Sequence, residues 1–338
     1  MICSFIIPAY NASKTIVRCL DSIYSLSLDE NAFEVICIDD CSVDSTIDVI
    51  KQYAQQHANL TLLCQTENHR QGAARNRGVA LAKGKYVVFV DSDDESDKGV
   101  VKALQLAEEH KLDMVAMHYV RIDQQECIFA KEPIGIESVF TGVELQIKQP
   151  YWCSGPCAYV YNLNFLKECN YPFVEDVLYE DSDFVAVHLY YTKRMMYSSE
   201  CGNKVYFNST STTHTMSYKH IADYLMLGTR MLKFYDTLLD PSSNFAKIIL
   251  EGASYNIGKS CNRLIKLSSV QDIKNFYERI DLQANRTKIY EFRNKIYYWN
   301  SWMHLVIKHK YLTILLTSLG MVAYKFRNFV KNICTSHS

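Results

Sequence analysis

Along the first 120 residues the hydrophobic positions alternate between two periods. Continuous apolar runs occur at CSFIIP (3–8), FEVICID (33–39), LTLLC (60–64), KYVVFVD (85–91) and DMVAMHYV (113–120). Between them, apolar positions recur at helical spacing over 14–26, 43–56, 71–83 and 97–110. Strands that are apolar throughout are buried on both faces, and strands separated by helices pair in parallel. The pattern predicts an α/β fold with a mostly parallel sheet and helices on both of its faces. From 125 to 215 the pattern is less regular, and from 216 onward it is mostly helical, with few glycines or prolines. The expected division is therefore residues 1–215 as one domain and 216–338 as a helical carboxyl-terminal region.

In open sheets of this kind the ligand crevice lies beyond the carboxyl ends of the strands. The first strand ends in Pro8-Ala9-Tyr10-Asn11, the second in Asp39-Asp40, and the fourth in Asp91-Ser92-Asp93-Asp94. Carboxylates this close repel one another and raise each other's pKa unless a positive group sits among them. Asp91, Asp93 and Asp94 offer hard oxygen ligands, which suit Mg2+ or Mn2+. The plainer alternative is a solvated acidic loop at the start of a helix near Ser96, where the helix dipole favours acids. Ser42, Asp44 and Thr46 are expected to cap the helix at 43–56.

Composition narrows the field. A net charge of -1 over 338 residues argues against nucleic acid as a partner. The twelve cysteines are scattered. Cys37/Cys41 and Cys153/Cys157 find no second pair to complete a zinc pattern. Cys3, Cys37 and Cys64 lie in strand-like runs, where a reduced thiol behaves as a small hydrophobe. The opening MICSFIIPAYN lacks the basic segment and apolar length of a signal peptide, so a reducing cytoplasm is expected.

The order FIIPAYN, EVICIDDCSVDST, QGAARNRGVALAKGKYVVFVDSDD and, later, YEDSDF resembles the family 2 glycosyltransferases, with their GT-A nucleotide-sugar-binding fold. The resemblance implies a metal-dependent enzyme that takes a sugar from a UDP-sugar donor. Asp39 would accept the N3–H of uracil, and Pro8, Ala9 and Tyr10 would line the base and ribose. Asp91, with Ser92 beside it, would contact the ribose. Asp91, Asp93 and Asp94 would hold the Mn2+ or Mg2+ that bridges the diphosphate, with His214 of STTHTMS as a later ligand. Of the two arginines in GAARNRG, Arg75 is expected to reach the crevice and balance phosphates or carboxylates, and Arg77 to face solvent. Cys41 stands where the family often has glycine.

Glu180 and Asp181 open the pattern EDSDFVAVHLYY, in which Phe184, Val187 and Tyr191 form an apolar stripe. Acids in a first helical turn are favoured by the dipole alone. The resemblance makes Asp181 the general base of an inverting displacement, with Glu180 as its orienting neighbour. Glu175-Asp176 precedes the helix and lacks aromatic flanks, so it ranks below that pair. Tyr151 and Trp152 are equally suited to an acceptor platform and to the core. The acceptor implied is a saccharide or lipid-linked saccharide, in cell-surface polysaccharide synthesis. Rival readings are a nucleotidyltransferase acting on sugar phosphates and a non-catalytic sugar-binding relative. After Glu291 the chain carries basic residues and no acids around YLTILLTSLGMVAY (311–324). Two readings stand for this tail: a helix lying on an anionic membrane surface at the inner face of the cytoplasmic membrane, or a core-packing helix.

Overall fold

A computed structural model describes residues 1–123, 126–129, 138–148, 155–206, 218–238, 240–263 and 271. The chain divides into two compact units, Met1–Ser211 and Thr212–Ser338.

In the first unit the five apolar runs become strands β1 (Cys3–Ala9), β2 (Phe33–Asp39), β3 (Leu60–Cys64), β4 (Tyr86–Phe89) and β6 (Met114–Asp123). The helices between them are α1 (Ile16–Tyr24), α2 (Thr46–Ala54), α3 (Arg70–Leu81) and α4 (Gly99–His110). The short strand β5 (Glu95–Ser96) precedes α4. After β6 come β7 (Glu126–Phe129), α5 (Gly142–Lys148), β8 (Tyr159–Asn162), α6 (Leu163–Cys169), α7 (Asp181–Tyr191) and β9 (Met195–Tyr206).

The sheet order is β3-β2-β1-β4-β8-β6-β9-β5, with β7 paired to β6. Strands β1, β2, β3 and β4 pair in parallel, as do β6 and β9, while β8 runs antiparallel between β4 and β6. Alternate side chains leave opposite faces of a strand. Phe5, Ile7, Val35, Cys37, Val88 and Val115 pack with Ile16, Leu20, Ile50, Val100 and Leu104, so α1, α2 and α4 cover one face. Ile6, Ile36, Ile38, Val87, Phe89 and Met114 pack with Ala74, Leu166 and Phe184, so α3, α6 and α7 cover the other. Burial pushes the Cys37 thiol up to about 12, which keeps it a neutral core residue.

Two expectations change. The helix after the acidic stretch begins at Gly99 and has no acid in its first turn, because Glu95 and Ser96 pair instead with Lys204 and Asn203 of β9. Helix α7 is not amphipathic: every residue from Asp183 to Leu189 is buried, whereas Tyr191 is 42% exposed. The sheet lies on one side of α7, and α5 and α6 also pack against it, so a single apolar stripe would not suffice.

In the second unit, α8 (Tyr218–Tyr235) and α9 (Asn244–Arg263) pack against each other. Gly228 lies against Ile257 and the Ala253 carbonyl, an approach that a side chain would block. Among the described residues no helix is long and apolar enough to cross a membrane. The tail 293–338 lies outside the described residues, as do Tyr151, Trp152 and His214.

Candidate active site

The parallel register sets Ala9 beside Asp39 and Asp39 beside Cys64, so three strand ends meet at one edge. Pro8 and Ala9 are buried there, while Tyr10 is 47% exposed. Asp39 is fully buried. Its Oδ2 accepts from the Ser42 N–H at 2.9 Å, and its Oδ1 has no hydrogen-bond partner among the described residues. A buried acceptor left unmet costs about 1–3 kcal/mol. Cys41 adopts φ 64°, the left-handed turn that glycine would take at less cost.

Of Ser42, Asp44 and Thr46, expected to cap α2, only Asp44 does so, and all three bind the loop after β1. The Asn11 N–H donates to Ser42 Oγ (2.9 Å), the Ala12 N–H to Thr46 Oγ1 (2.7 Å) and the Ser13 N–H to Asp44 Oδ2 (3.2 Å). In return the Val43 N–H donates to Asn11 Oδ1 at 2.9 Å. These bonds fasten the loop after β1 to the loop after β2, and only Asp44, which accepts the Thr46 N–H at 3.0 Å, also serves the helix start. Against the effect of partial burial, the donors from Ser13 and Thr46 hold the Asp44 carboxyl down at about 2.

The acidic stretch is balanced by the protein's own cations. Arg75, on α3, is 2% exposed. Its Nη2 donates to Asp91 Oδ1 at 2.7 Å, and its Nη1 donates to Glu180 Oε1. Burial disfavours the charged guanidinium, but the flanking carboxylates of Asp91 and Glu180 push its pKa upward. Arg77 is half-buried rather than solvent-facing. On the far side of the stretch, Arg18 of α1 donates to the Asp93 carbonyl and stacks 3.8 Å over the Tyr206 ring. Glu95 meets Arg18 at 3.4 Å, Lys204 at 3.8 Å and the Tyr206 hydroxyl at 2.7 Å. Asp94 Oδ1 accepts the Tyr206 N–H at 2.9 Å. Burial, then the charge of Asp91, pushes the Asp94 carboxyl up to about 8, against the pull of that backbone donor.

Residues 91–94 form a tight turn, with the Asp94 N–H donating to the Asp91 carbonyl at 3.0 Å. Asp91, Ser92 and Asp93 are half-buried on it. No group of three or more His, Cys, Asp or Glu side chains is gathered as a cation cage among the described residues. Two carboxylates from Asp91 and Asp93 nonetheless fit an ion of the Mg2+ type, which keeps several waters and completes its shell with substrate phosphates.

Glu180 is buried at the start of α7, and Asp181 is half-buried beside it. Burial, and then the Glu180 charge, pushes the Asp181 carboxyl up to about 7, with Arg75 pulling the other way. A base poised near neutrality is suited to take a proton from a hydroxyl.

Arg18, Lys204, Tyr206 and Asn76 went unnoticed in the sequence, and Asp176 was ranked low. Arg18 is the only basic residue within α1, the helix that starts at the strand ends, and that was its one visible signal.

Residues 4–150 match the family model described as glycosyl transferase family 2. A poly(ribitol-phosphate) beta-glucosyltransferase of Bacillus spizizenii is 41% identical over 92 residues, covering 27% of this chain and 14% of its own length. Among solved structures, S. aureus TarS residues 1–349 in complex with UDP-GlcNAc superposes with a TM-score of 0.67 at 19% identity, covering 96% of this chain and 92% of that one. Mannosyltransferase PcManGT from Pyrobaculum calidifontis, in complex with GDP-Man and Mn2+, gives 0.51 at 15% identity, over 95% and 86% of the two chains. At these identities the two structures establish a shared GT-A fold.

Proposed function

We propose that the chain is a metal-dependent, inverting glycosyltransferase that moves a sugar from a UDP-sugar to a saccharide or lipid-linked saccharide acceptor in surface-polymer synthesis. The observation that carries the reading is the unmet Oδ1 of Asp39, sealed at the strand ends with its partner oxygen already satisfied. A carboxylate oxygen accepts the imide N–H of uracil in a charge-assisted bond, whereas cytosine offers no proton at that position. The likeness to a poly(ribitol-phosphate) beta-glucosyltransferase and to a structure in complex with UDP-GlcNAc supports the polymer setting and the donor class.

Asp91 and Asp93 would hold the divalent ion, which when bound neutralises charge on the departing diphosphate. Asp181 takes the proton of the acceptor hydroxyl as its oxygen attacks the anomeric carbon. Arg75 holds Glu180 and Asp91 in place around it through its two ion pairs. The bond from the anomeric carbon to UDP breaks in the same displacement, so the configuration inverts. Catalysis of this kind by a placed carboxylate contributes about 10²–10⁴-fold.

Calorimetric titration of UDP with Mn2+, repeated after chelation, tests the donor site. Binding that weakens on chelation supports the reading, and equal affinity in both conditions removes the metal from it. A panel of nucleotide sugars assayed for UDP release then identifies the sugar.

A further inference from the structure

The loop that delivers Glu180 and Asp181 is fastened at both ends to α3. At its start, Asn76 Nδ2 donates to the Phe173 carbonyl at 2.9 Å, and the Phe173 N–H returns a bond to Asn76 Oδ1 at 3.0 Å. The Phe173 ring stacks on Phe184 of α7 at 3.6 Å. At its end, Glu180 is held by Arg75. Between these anchors Asp176 and Tyr179 both adopt left-handed backbone, with φ of 62° and 65°. Each such residue costs on the order of 1 kcal/mol or more and persists only where surrounding contacts enforce it.

One contact does so from the nucleotide side. His69 precedes α3, and its N–H donates to Asp40 Oδ1 at 2.8 Å, next to Asp39. Its carbonyl accepts the Asp176 N–H at 3.0 Å, and its Nδ1 lies 3.0 Å from Asp176 Oδ1. Arg70 beside it is itself left-handed, at φ 69°. A Cβ on Gly72, one turn along, would lie 2.3 Å from the Val174 carbonyl, so the loop is pressed onto the helix.

We propose that His69 and Asp176 are positioning residues: their clasp holds the strained loop so that Asp181 stays in register with the donor pocket at Asp39. The inference rests on the functional reading above. It makes the weakly ranked Asp176 part of the machinery through Asp181, without contact with substrate.

The test uses the full chain with UDP-N-acetylglucosamine and UDP-glucose as donors, Mn2+ present, and UDP release as the signal. Glycine adopts positive φ without steric cost, so Asp176→Gly removes the side-chain half of the clasp, the contact with His69 Nδ1, while keeping the backbone bond to the His69 carbonyl and leaving the turn able to form. Its melting temperature should match or exceed that of the wild type, and its UDP affinity should stay within about twofold. Its kcat should fall roughly tenfold or more, since small misplacements of a catalytic group are that costly. Amide exchange across 174–182 should accelerate. Asp176→Asn, which keeps an acceptor for His69, should recover most of kcat, and His69→Ala should reproduce the glycine variant. Wild-type kcat or wild-type exchange in Asp176→Gly overturns the proposal, and so does a loss of UDP affinity there. Absence of UDP release by the wild type from both donors, together with absence of Mn2+-dependent UDP binding, overturns the functional reading instead, while the exchange data still decide whether the clasp holds the loop.

Discussion

The two sides of the crevice are built by different physics. The proposed nucleotide side is made of hydrogen bonds between two loops, each following its strand directly, with the Asp44 carboxylate among the acceptors, and an unmet acceptor on Asp39. The base side is made of buried charge: one guanidinium shared between Asp91 and Glu180, a raised carboxyl on Asp181 and a left-handed loop held by its neighbours. The first arrangement ties two loops together around a buried carboxylate. The second stores electrostatic and backbone strain beside the group that must do chemistry, and strain of this kind concentrates at functional sites.

The largest effect that separates the sides is expected from Asp181→Asn. Sugar transfer should drop by about 10²–10⁴-fold while UDP titration stays near the wild-type value. A parallel loss of UDP affinity would merge the two sides into one. The wild-type rate should rise with pH through about 7, as the Asp181 carboxyl gives up its proton.

Arg75→Met tests the buried charge. Removing one partner of a buried ion pair costs about 3–5 kcal/mol, because the carboxylates of Asp91 and Glu180 are left uncompensated. Chemical denaturation would show it as a lower midpoint, and an unchanged midpoint would mean that water already screens the pair.

Asp39→Asn should weaken UDP binding by about tenfold to a hundredfold, the loss of one charge-assisted bond in a sealed site, without a matching loss of stability. Titration calorimetry reads the first and thermal melting the second.

A smaller effect comes from the raised carboxyl of Asp181 itself. The folded chain holds its proton up to about pH 7, whereas the unfolded chain releases it near pH 4, so this group lowers stability progressively as pH rises across that window. Asp181→Asn, which cannot ionise, should therefore be more stable than the wild type at pH 8 and show little difference at pH 4. Smallest is Thr46→Val, which leaves the Ala12 N–H without its acceptor and should cost about 1 kcal/mol, with a modest loss of UDP affinity.

The same contrast explains what could be read from the chain alone. The nucleotide side was legible because its parts are local: an apolar run, then Asp39, then a loop, in a spacing that a parallel sheet turns into one edge. The acids at 91–94 were legible for the same reason, and so was Arg75 as a cation that balances phosphates or carboxylates. Its second partner, Glu180, was not, because it lies 105 residues away. Arg18 and Tyr206 approach from α1 and from the end of β9, and no pattern in either segment announces the meeting. Asp176 ranked low because its value lies in a backbone angle and a histidine 107 residues distant. The antiparallel β8 was hidden because four residues following an irregular stretch carry too little periodicity to register.

That strand also bears on how the polypeptide matures on the ribosome. Strands β1 to β4 find their neighbours within the first 90 residues to emerge, but β6 joins β4 only through β8, at 159–162. Until those residues leave the exit tunnel, the apolar edge of β4 is uncovered and β6 has no seat in the sheet. Non-local pairing is slow, and exposed strand edges invite aggregation. Chaperone demand during synthesis should therefore peak between the exit of β4 and that of β8, and expression trials that truncate the chain inside this interval should yield insoluble product.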